Sequence, residues 1–388
     1  MTLNGRIKKE IETKKILPDT QASFRKGRGT INNIYILQHV TEKAIEKKKG
    51  KLYTFFIDQR AAFDRIVREK LWETMENAGI GIDLVNRTRE IYTETRNKIK
   101  VGEEMSRAFW TEEGVRQDCP LSPTLFTNFI ADIEEEWEKT CGMVVGKEKF
   151  WTLSYADDIV LLANEEKEIK EMMRRLKKYL DRKKLVLNES KSKMMVFGKG
   201  RGRKKKETWN WKDKAIERVT EFTYLGYRLK SNGKYNEHIK YVAKKANVVM
   251  RHAWGRGERI FRDDYGRRTK IFDSLVVKNL AYGAEVWRWT EKEELNRIQR
   301  RYSKWTLGLD IRTPDYIIME ETKRKKLKIR LAKKAVGYER RIERERDGGI
   351  VNESIKEKKA GKGNQERIRE RRDHFTTCGF SQIGVKQL

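Results

Sequence analysis

Apolar and polar positions fall in blocks along this chain, and each block predicts one element. Residues 1–50 carry a basic, mostly helical pattern with a turn signal at Leu17-Pro18-Asp19. Leu52 to Ile57 is a nearly continuous apolar run of strand length that ends at Asp58. The next helix has Leu71, Trp72, Met75 and Ala78 on one face and stops at Gly79. From Pro120 to Trp137 the spacing predicts one helix. Leu125, Phe129, Ile133 and Trp137 recur every four residues, Ser122 suits an N-cap and Pro123 the first turn.

Two apolar runs, Phe150 to Leu153 and Ile159 to Ala163, flank Tyr155-Ala156-Asp157-Asp158 and predict a hairpin with the Asp pair at its tip. Lys167 to Lys183 reads as helix, and Val186-Leu187 with Met194 to Phe197 as strand. The glycine-punctuated basic run Lys199 to Lys206 reads as a connector. Trp209 to Leu229 alternates like strand and closes on Tyr224-Leu225-Gly226-Tyr227. From Glu237 the pattern is helical and basic, with Trp254, Trp287, Trp289 and Trp305 as core anchors. Lys323 to Arg344 predicts an amphipathic basic helix carrying Leu327, Ile329, Leu331 and Val336; a clamp on phosphates and a solvated helix face are both open readings of it. The tail past Gly348 is polar, highly charged and expected to be partly disordered. Helices, then interleaved strands and helices with carboxylates at strand ends, then a helical basic region, make an α+β fold.

Charge changes the picture. Among 388 residues, 89 Lys and Arg face 58 Asp and Glu, a net charge of +31 that predicts a polyanionic partner. Nucleic acid comes first. An anionic membrane surface fits poorly, because the basic segments lack a broad aromatic-rich apolar face. No apolar run approaches the length of a membrane span, and Met1 to Glu10 lacks the core of a signal peptide. Cys119, Cys141 and Cys378 are too scattered for a disulfide framework or a zinc site, so an intracellular, reduced protein is expected.

The Asp157-Asp158 pair carries the candidate chemistry. Adjacent anions repel, and a plain turn is more cheaply made with Asn-Gly or Asp-Gly. A solvated turn is one reading; a divalent cation held by hard oxygen ligands is the other. Asp58, at another strand tip, would add a third carboxylate if its strand lay beside the hairpin. Two magnesium or manganese ions roughly 3.5–4 Å apart could then serve nucleotidyl transfer.

These segments together resemble a known family. Phe56-Ile57-Asp58-Gln59-Arg60-Ala61-Ala62-Phe63-Asp64, Gly114-Val115-Arg116-Gln117-Asp118-Cys119-Pro120-Leu121-Ser122-Pro123 and Tyr155-Ala156-Asp157-Asp158 look like motifs A, B and C of reverse transcriptases. Leu187-Asn188-Glu189-Ser190-Lys191-Ser192-Lys193 is similar to motif D. Tyr224-Leu225-Gly226-Tyr227 resembles the turn that grips the primer, and Gln21-Ala22-Ser23-Phe24-Arg25-Lys26-Gly27-Arg28-Gly29-Thr30 the segment entering the fingers. Their form points to non-LTR (LINE-type) retrotransposons, and the likeness covers about residues 1 to 330.

The resemblance implies an RNA-directed DNA polymerase shaped as a right hand. Partial fingers would span 1–50, a palm of antiparallel sheet plus helices 51–230, a helical thumb 231–345 and a basic tail 346–388. RNA template, DNA primer and deoxynucleoside triphosphates would be its partners and two Mg2+ its cofactors, with Mn2+ as a substitute. Asp58, Asp157 and Asp158 would hold the metals. Phe63 would pack under the sugar and reject a 2′-hydroxyl, although by itself it reads as a core residue. Arg116 and Gln117 would line the nucleotide pocket. Lys191, with Lys193 equal by charge, would stand near the pyrophosphate as general acid. Arg25 and Lys26 would track template or triphosphate, against a solvated-loop reading, and Tyr224 and Gly226 would contact nucleic acid. Asp118 and Ser23 stand where the family usually has glycine. The chain also starts part-way through the fingers, without the N-terminal endonuclease or C-terminal Cys/His knuckle. A fragment is therefore expected, and a decayed remnant that only binds RNA or RNA–DNA hybrid is the alternative.

Overall fold

The computed structural model describes residues 2–93, 95–199, 208–287, 292–345 and 349–360, with 369, 370, 372, 373 and 376. Residues 200–207 of the basic connector, Trp289 and most of the tail lie outside the described residues. Two compact units emerge: residues 1–33, 51–196 and 200–219 form the first, and 34–50, 197–199 and 220–388 the second.

The first unit begins with α1 (Leu3–Thr13) and the start of α2 (Thr30–Glu46), whose later residues belong to the second unit. Strand β1 (Lys51–Ile57) is buried from Leu52 onward, as expected of a run apolar on both faces. Helices α3 (Arg68–Asn77), α4 (Ile82–Thr93) and α5 (Ser122–Phe129) follow. Next come the hairpin strands β2 (Thr152–Tyr155) and β3 (Asp158–Ala163), α6 (Glu166–Lys183), β4 (Lys193–Gly198) and β5 (Arg218–Val219). One five-stranded sheet runs β5-β4-β1-β3-β2. β1 pairs antiparallel with β3, Ile57 opposite Ile159, and β3 pairs antiparallel with β2, Tyr155 opposite Asp158.

Periodicity explains how the helices cover this sheet. Ile169, Met172, Met173, Leu176, Tyr179 and Leu180 form the buried stripe of α6. It joins one cluster with Leu71, Trp72 and Met75 of α3, Leu125, Phe126 and Phe129 of α5, and Phe55, Ile159 and Leu161 of the sheet. Each such side chain contributes about 1.5–3 kcal/mol on burial. The single helix expected over Pro120 to Trp137 is two pieces: α5 ends at Phe129, and a 3-10 helix runs from Ala131 to Trp137. Ser122 is not the N-cap; Leu121 is, without a side-chain bond, and the Ser122 hydroxyl donates to the Arg116 carbonyl. Val186 and Leu187 are not strand either; Leu187 makes an isolated bridge with Gln59.

The second unit holds the hairpin β6 (Glu221–Tyr224) and β7 (Tyr227–Lys230), then α7 (Asn236–Ile260), α8 (Glu293–Thr306), α9 (Leu327–Arg344) and α10 (Gly349–Lys359). The expected helix over Lys323 to Arg344 starts later, because Lys323 takes a left-handed conformation that ends the helix before it. Its buried stripe is Leu327, Leu331, Ala335, Tyr338 and Ile342, whereas Ile329 is exposed. Trp287 is buried; Trp254 and Trp305 are half-buried and meet edge to face at 5.8 Å. The start of the expected disordered tail is ordered, since α10 buries Ile350, Val351 and Ile355. Residues 34–50, expected with the fingers, join this unit through Tyr35 against Tyr338 (5.7 Å) and through Lys43 and His39 on the Glu357 carboxylate. No described helix is long and apolar enough to cross a membrane.

Candidate active site

The register of β1 on β3 assembles the site. Ile57 lies opposite Ile159, so continuing that register by one residue brings Asp58 to the level of Asp158 at the sheet's end, within reach of its charge. Asp157 sits in the two-residue turn Ala156-Asp157 that joins β2 to β3. Residues 99 and 100 positions apart in the chain thus meet where one sheet ends. Burial pushes the Asp157 carboxyl up, with a further push from Asp58. The Asp158 carboxyl rises to about 6, chiefly by burial and then by the charges of Asp157 and Asp58. Among the described residues no Lys or Arg forms an ion pair with any of the three, although the chain has a large excess of cations.

The backbone around Asp58 is braced by the segment that follows α6. The Asn188 N–H donates to the Asp58 carbonyl (2.8 Å), and the Asp58 N–H donates to Ser192 Oγ (3.1 Å). Lys191 lies between these two contacts, exposed and without a hydrogen bond or ion pair among the described residues. Lys193 is engaged instead, with Glu217 (2.7 Å) and the Ser190 carbonyl (2.6 Å). Geometry therefore separates two lysines that charge alone left equal.

Beside the carboxylates opens a cleft of about 630 Å³ lined by Gln59, Phe63, Asp64, Arg116, Gln117, Asp118 and Asp157 among others. Phe63 does two things: it lines the cleft and stacks on the buried Phe126 at 4.5 Å. The Gln117 amide donates to Asp64 (3.1 Å). The Arg116 guanidinium lies over the Tyr92 ring at 5.6 Å and donates to the Ile91 carbonyl. Gly114 packs against the backbone of Asp64: its φ is +79°, and a Cβ there would sit 2.7 Å from the Asp64 carbonyl oxygen. Asp118 has φ +58°, the left-handed region that glycine occupies without strain, so a side chain there carries a cost.

The other expected residues lie elsewhere. Arg25 clamps Glu12 through two bonds (3.0 and 3.1 Å) and donates to the Pro18 carbonyl, so it is not an open phosphate ligand; Lys26 is exposed and without a partner among the described residues. Tyr224 and Gly226 belong to the second unit. Tyr224 is buried there, and Leu225-Gly226, both with positive φ, make the two-residue loop between β6 and β7. Sequence reasoning missed Gln59, Ser192 and Glu134. Gln59 and Ser192 lie inside the segments similar to motifs A and D, next to Asp58 and Lys191, which was the available signal. Glu134 gave none, since it is one of several acids between Asp132 and Glu136 in the helix expected over Pro120 to Trp137. In fact it is half-buried, its carboxyl is raised by burial, and it accepts from Thr20 (2.8 Å) and Thr152 (2.6 Å).

The donor chemistry of the three carboxylates suits a hard divalent ion. As placed, no group of three His, Cys, Asp or Glu side chains among the described residues is gathered tightly enough to hold one.

Comparison with known proteins is specific. The family described as reverse transcriptase (RNA-dependent DNA polymerase) matches residues 2–229. A Pol polyprotein of the R2 type-1 retrotransposable element of Nasonia vitripennis is 28% identical over 148 residues, 38% of this chain and 14% of that protein. The probable RNA-directed DNA polymerase from transposon BS of Drosophila melanogaster is 22% identical, covering 76% of this chain and 33% of its own length. The RNA-directed DNA polymerase from mobile element jockey of Drosophila funebris is 24% identical over 76% of this chain and 32% of its own. The chain therefore spans a third or less of these relatives. A solved structure of telomerase from Candida albicans aligns with 91% of this chain and 57% of its own, at 10% identity and a TM-score of 0.44.

Proposed function

Because the chain belongs to the reverse transcriptase family, we propose that it is an RNA-directed DNA polymerase of the non-LTR retrotransposon type, extending a DNA primer on an RNA template inside the cell. One observation carries the reading: the strand register that sets Asp58 opposite Asp158, next to a cleft large enough for a nucleotide and walled by Phe63 and Gln117. In the same reading, 1–50 are partial fingers, 51–230 the palm, 231–345 the thumb and 346–388 a basic tail.

Asp58, Asp157 and Asp158 would hold two Mg2+, or Mn2+. When bound, such ions activate the attacking hydroxyl and stabilise the leaving oxygen. Raised carboxyls with no cationic partner support this, because each bound charge relieves their repulsion. The primer 3′-hydroxyl forms a new P–O bond at the α-phosphorus, and the bond to pyrophosphate breaks. The chain's residues orient this exchange. Phe63 lies against the deoxyribose and its stack on Phe126 keeps it from yielding to a 2′-hydroxyl. Gln117, steadied by Asp64, contacts the nucleotide. Lys191 delivers a proton to the departing pyrophosphate. Lys26 and Gly226 meet the nucleic acid strands, the buried Tyr224 shapes the Leu225-Gly226 loop, and Arg25 acts indirectly by holding the segment that carries Lys26.

Primer extension on an RNA template with Mg2+ and all four deoxynucleoside triphosphates tests the reading. Incorporation is expected, and Asp157→Asn should abolish it. Incorporation that survives that change would overturn the assignment. Tight, salt-sensitive hybrid binding with no synthesis would favour the binding-only remnant instead.

A further inference from the structure

The turn that presents Asp157 is held from outside the cleft. Ala156 has φ +55°, a conformation that costs a non-glycine residue about 1–2 kcal/mol and persists only where the surroundings impose it. The imposing group is the segment at residues 20–23. The Ala156 N–H donates to Ser23 Oγ (2.9 Å), with Gln21 Oε1 at 3.2 Å. The Ser23 hydroxyl donates to the same Gln21 oxygen (2.8 Å), as does the Ser23 N–H (3.1 Å). Ser23 is 0% exposed, Gln21 2% and Ala156 7%, so water cannot replace any of these bonds.

Behind this clamp the segment is laid along β2. The Ser154 N–H donates to the Thr20 carbonyl and the Ala22 N–H to the Ser154 carbonyl, both at 3.0 Å, which makes a parallel bridge between Gln21 and Ser154. Asn33 adds a bond to the same Ser154 carbonyl (2.9 Å). Thr20 and Thr152 share the Glu134 carboxylate. A hydroxyl at position 23 is therefore carried to the turn by a strand-like edge that is anchored on both sides.

We propose that Ser23, together with Gln21, is a positioning device for the catalytic turn: it fixes the Ala156 backbone and with it the direction in which Asp157 points. Neither residue lines the cleft, so neither is a catalytic residue. The role rests on the polymerase reading for its effect on synthesis, and on the hydrogen bonds alone for its effect on the turn. Without the hydroxyl, the Ala156 N–H keeps only the longer contact to Gln21, and the left-handed turn loses its main constraint.

Three variants of the full chain test this: Ser23→Ala, Ser23→Thr and Ser23→Val. Thr and Val add the same bulk and differ only in the hydroxyl. Amide hydrogen exchange at Ala156 should quicken about tenfold in the Ala and Val variants and stay near wild type in Thr, the effect of losing one buried hydrogen bond. In single-turnover extension the maximal rate should fall about 10- to 100-fold in Ala and Val, with nucleotide affinity little changed and Thr restoring the rate. Equal Ala156 exchange in the Thr and Val variants would overturn the positioning role. A wild-type chain that adds no nucleotide would overturn the polymerase reading, which is a separate signal.

Discussion

Acid should destabilise this protein through His238. Its ring is fully buried, stacks on Tyr227 at 3.8 Å and accepts from the Arg228 N–H at Nδ1 (3.2 Å). The other nitrogen therefore carries the proton and donates to the Tyr282 carbonyl (3.0 Å), a neutral tautomer. Burial, and then Lys245, lower its pKa from 6.5 to about 4, against the opposing Tyr282 bond. The folded state thus takes up a proton less readily than the unfolded chain. Its stability is complete above pH 6.5 and falls as pH drops through that value towards 4. The full difference is roughly 3 kcal/mol, of which about 2 kcal/mol is lost by pH 5. His39 is shifted in the same direction to about 4, so it contributes a similar fall. Urea titration of wild type and His238→Gln at pH 7.5 and pH 5 isolates the His238 share. The variant loses packing at both values, but its fall between them should be about 2 kcal/mol smaller. An equal fall in both proteins would refute the buried neutral ring as the cause.

Three further outcomes follow from the cleft. Phe63→Val should admit ribonucleotides, read as a rise in their incorporation relative to deoxynucleotides, and should cost about 1–2 kcal/mol by removing the stack on Phe126. Asp118→Gly should raise thermal stability by about 0.5–1 kcal/mol, since φ is +58° there, and should speed extension by removing an anion from the cleft wall. Lys191→Ala should slow the chemical step about 10- to 100-fold, whereas Lys193→Ala should act on stability through its lost bond to Glu217.

Much of this site was legible along the chain. The apolar run before Asp58 and the run after Asp158 are strands, and of the run Phe150 to Leu153 only Thr152 and Leu153 join the hairpin while Phe150 ends a separate short strand; a buried sheet needs continuous apolar residues, and a carboxylate can end such a run only at a wet tip. Their meeting was not legible, because it depends on the pairing of Ile57 with Ile159 across a long stretch of chain. Local patterns also hid the break after Phe129: Leu125, Phe129, Ile133 and Trp137 stay buried on both sides of it, so four-residue spacing continues through two kinds of helix. Long-range polar partners were equally silent. Arg25 reads as a free cation until Glu12 appears beside it, and Ser23 as a mere departure from glycine until the Ala156 N–H is found on its hydroxyl.

If Asp58 and the Asp157-Asp158 hairpin form one metal-dependent site, removing a single carboxylate should silence it. Single-turnover addition of one deoxynucleotide by Asp58→Asn, with primer–template binding measured in parallel, tests it most directly. Addition should fall about a thousandfold or more with binding retained, the size expected when a ligand to the catalytic ions is removed. Addition within about threefold of wild type would contradict it, because Asp58 would then stand beside the site without belonging to it.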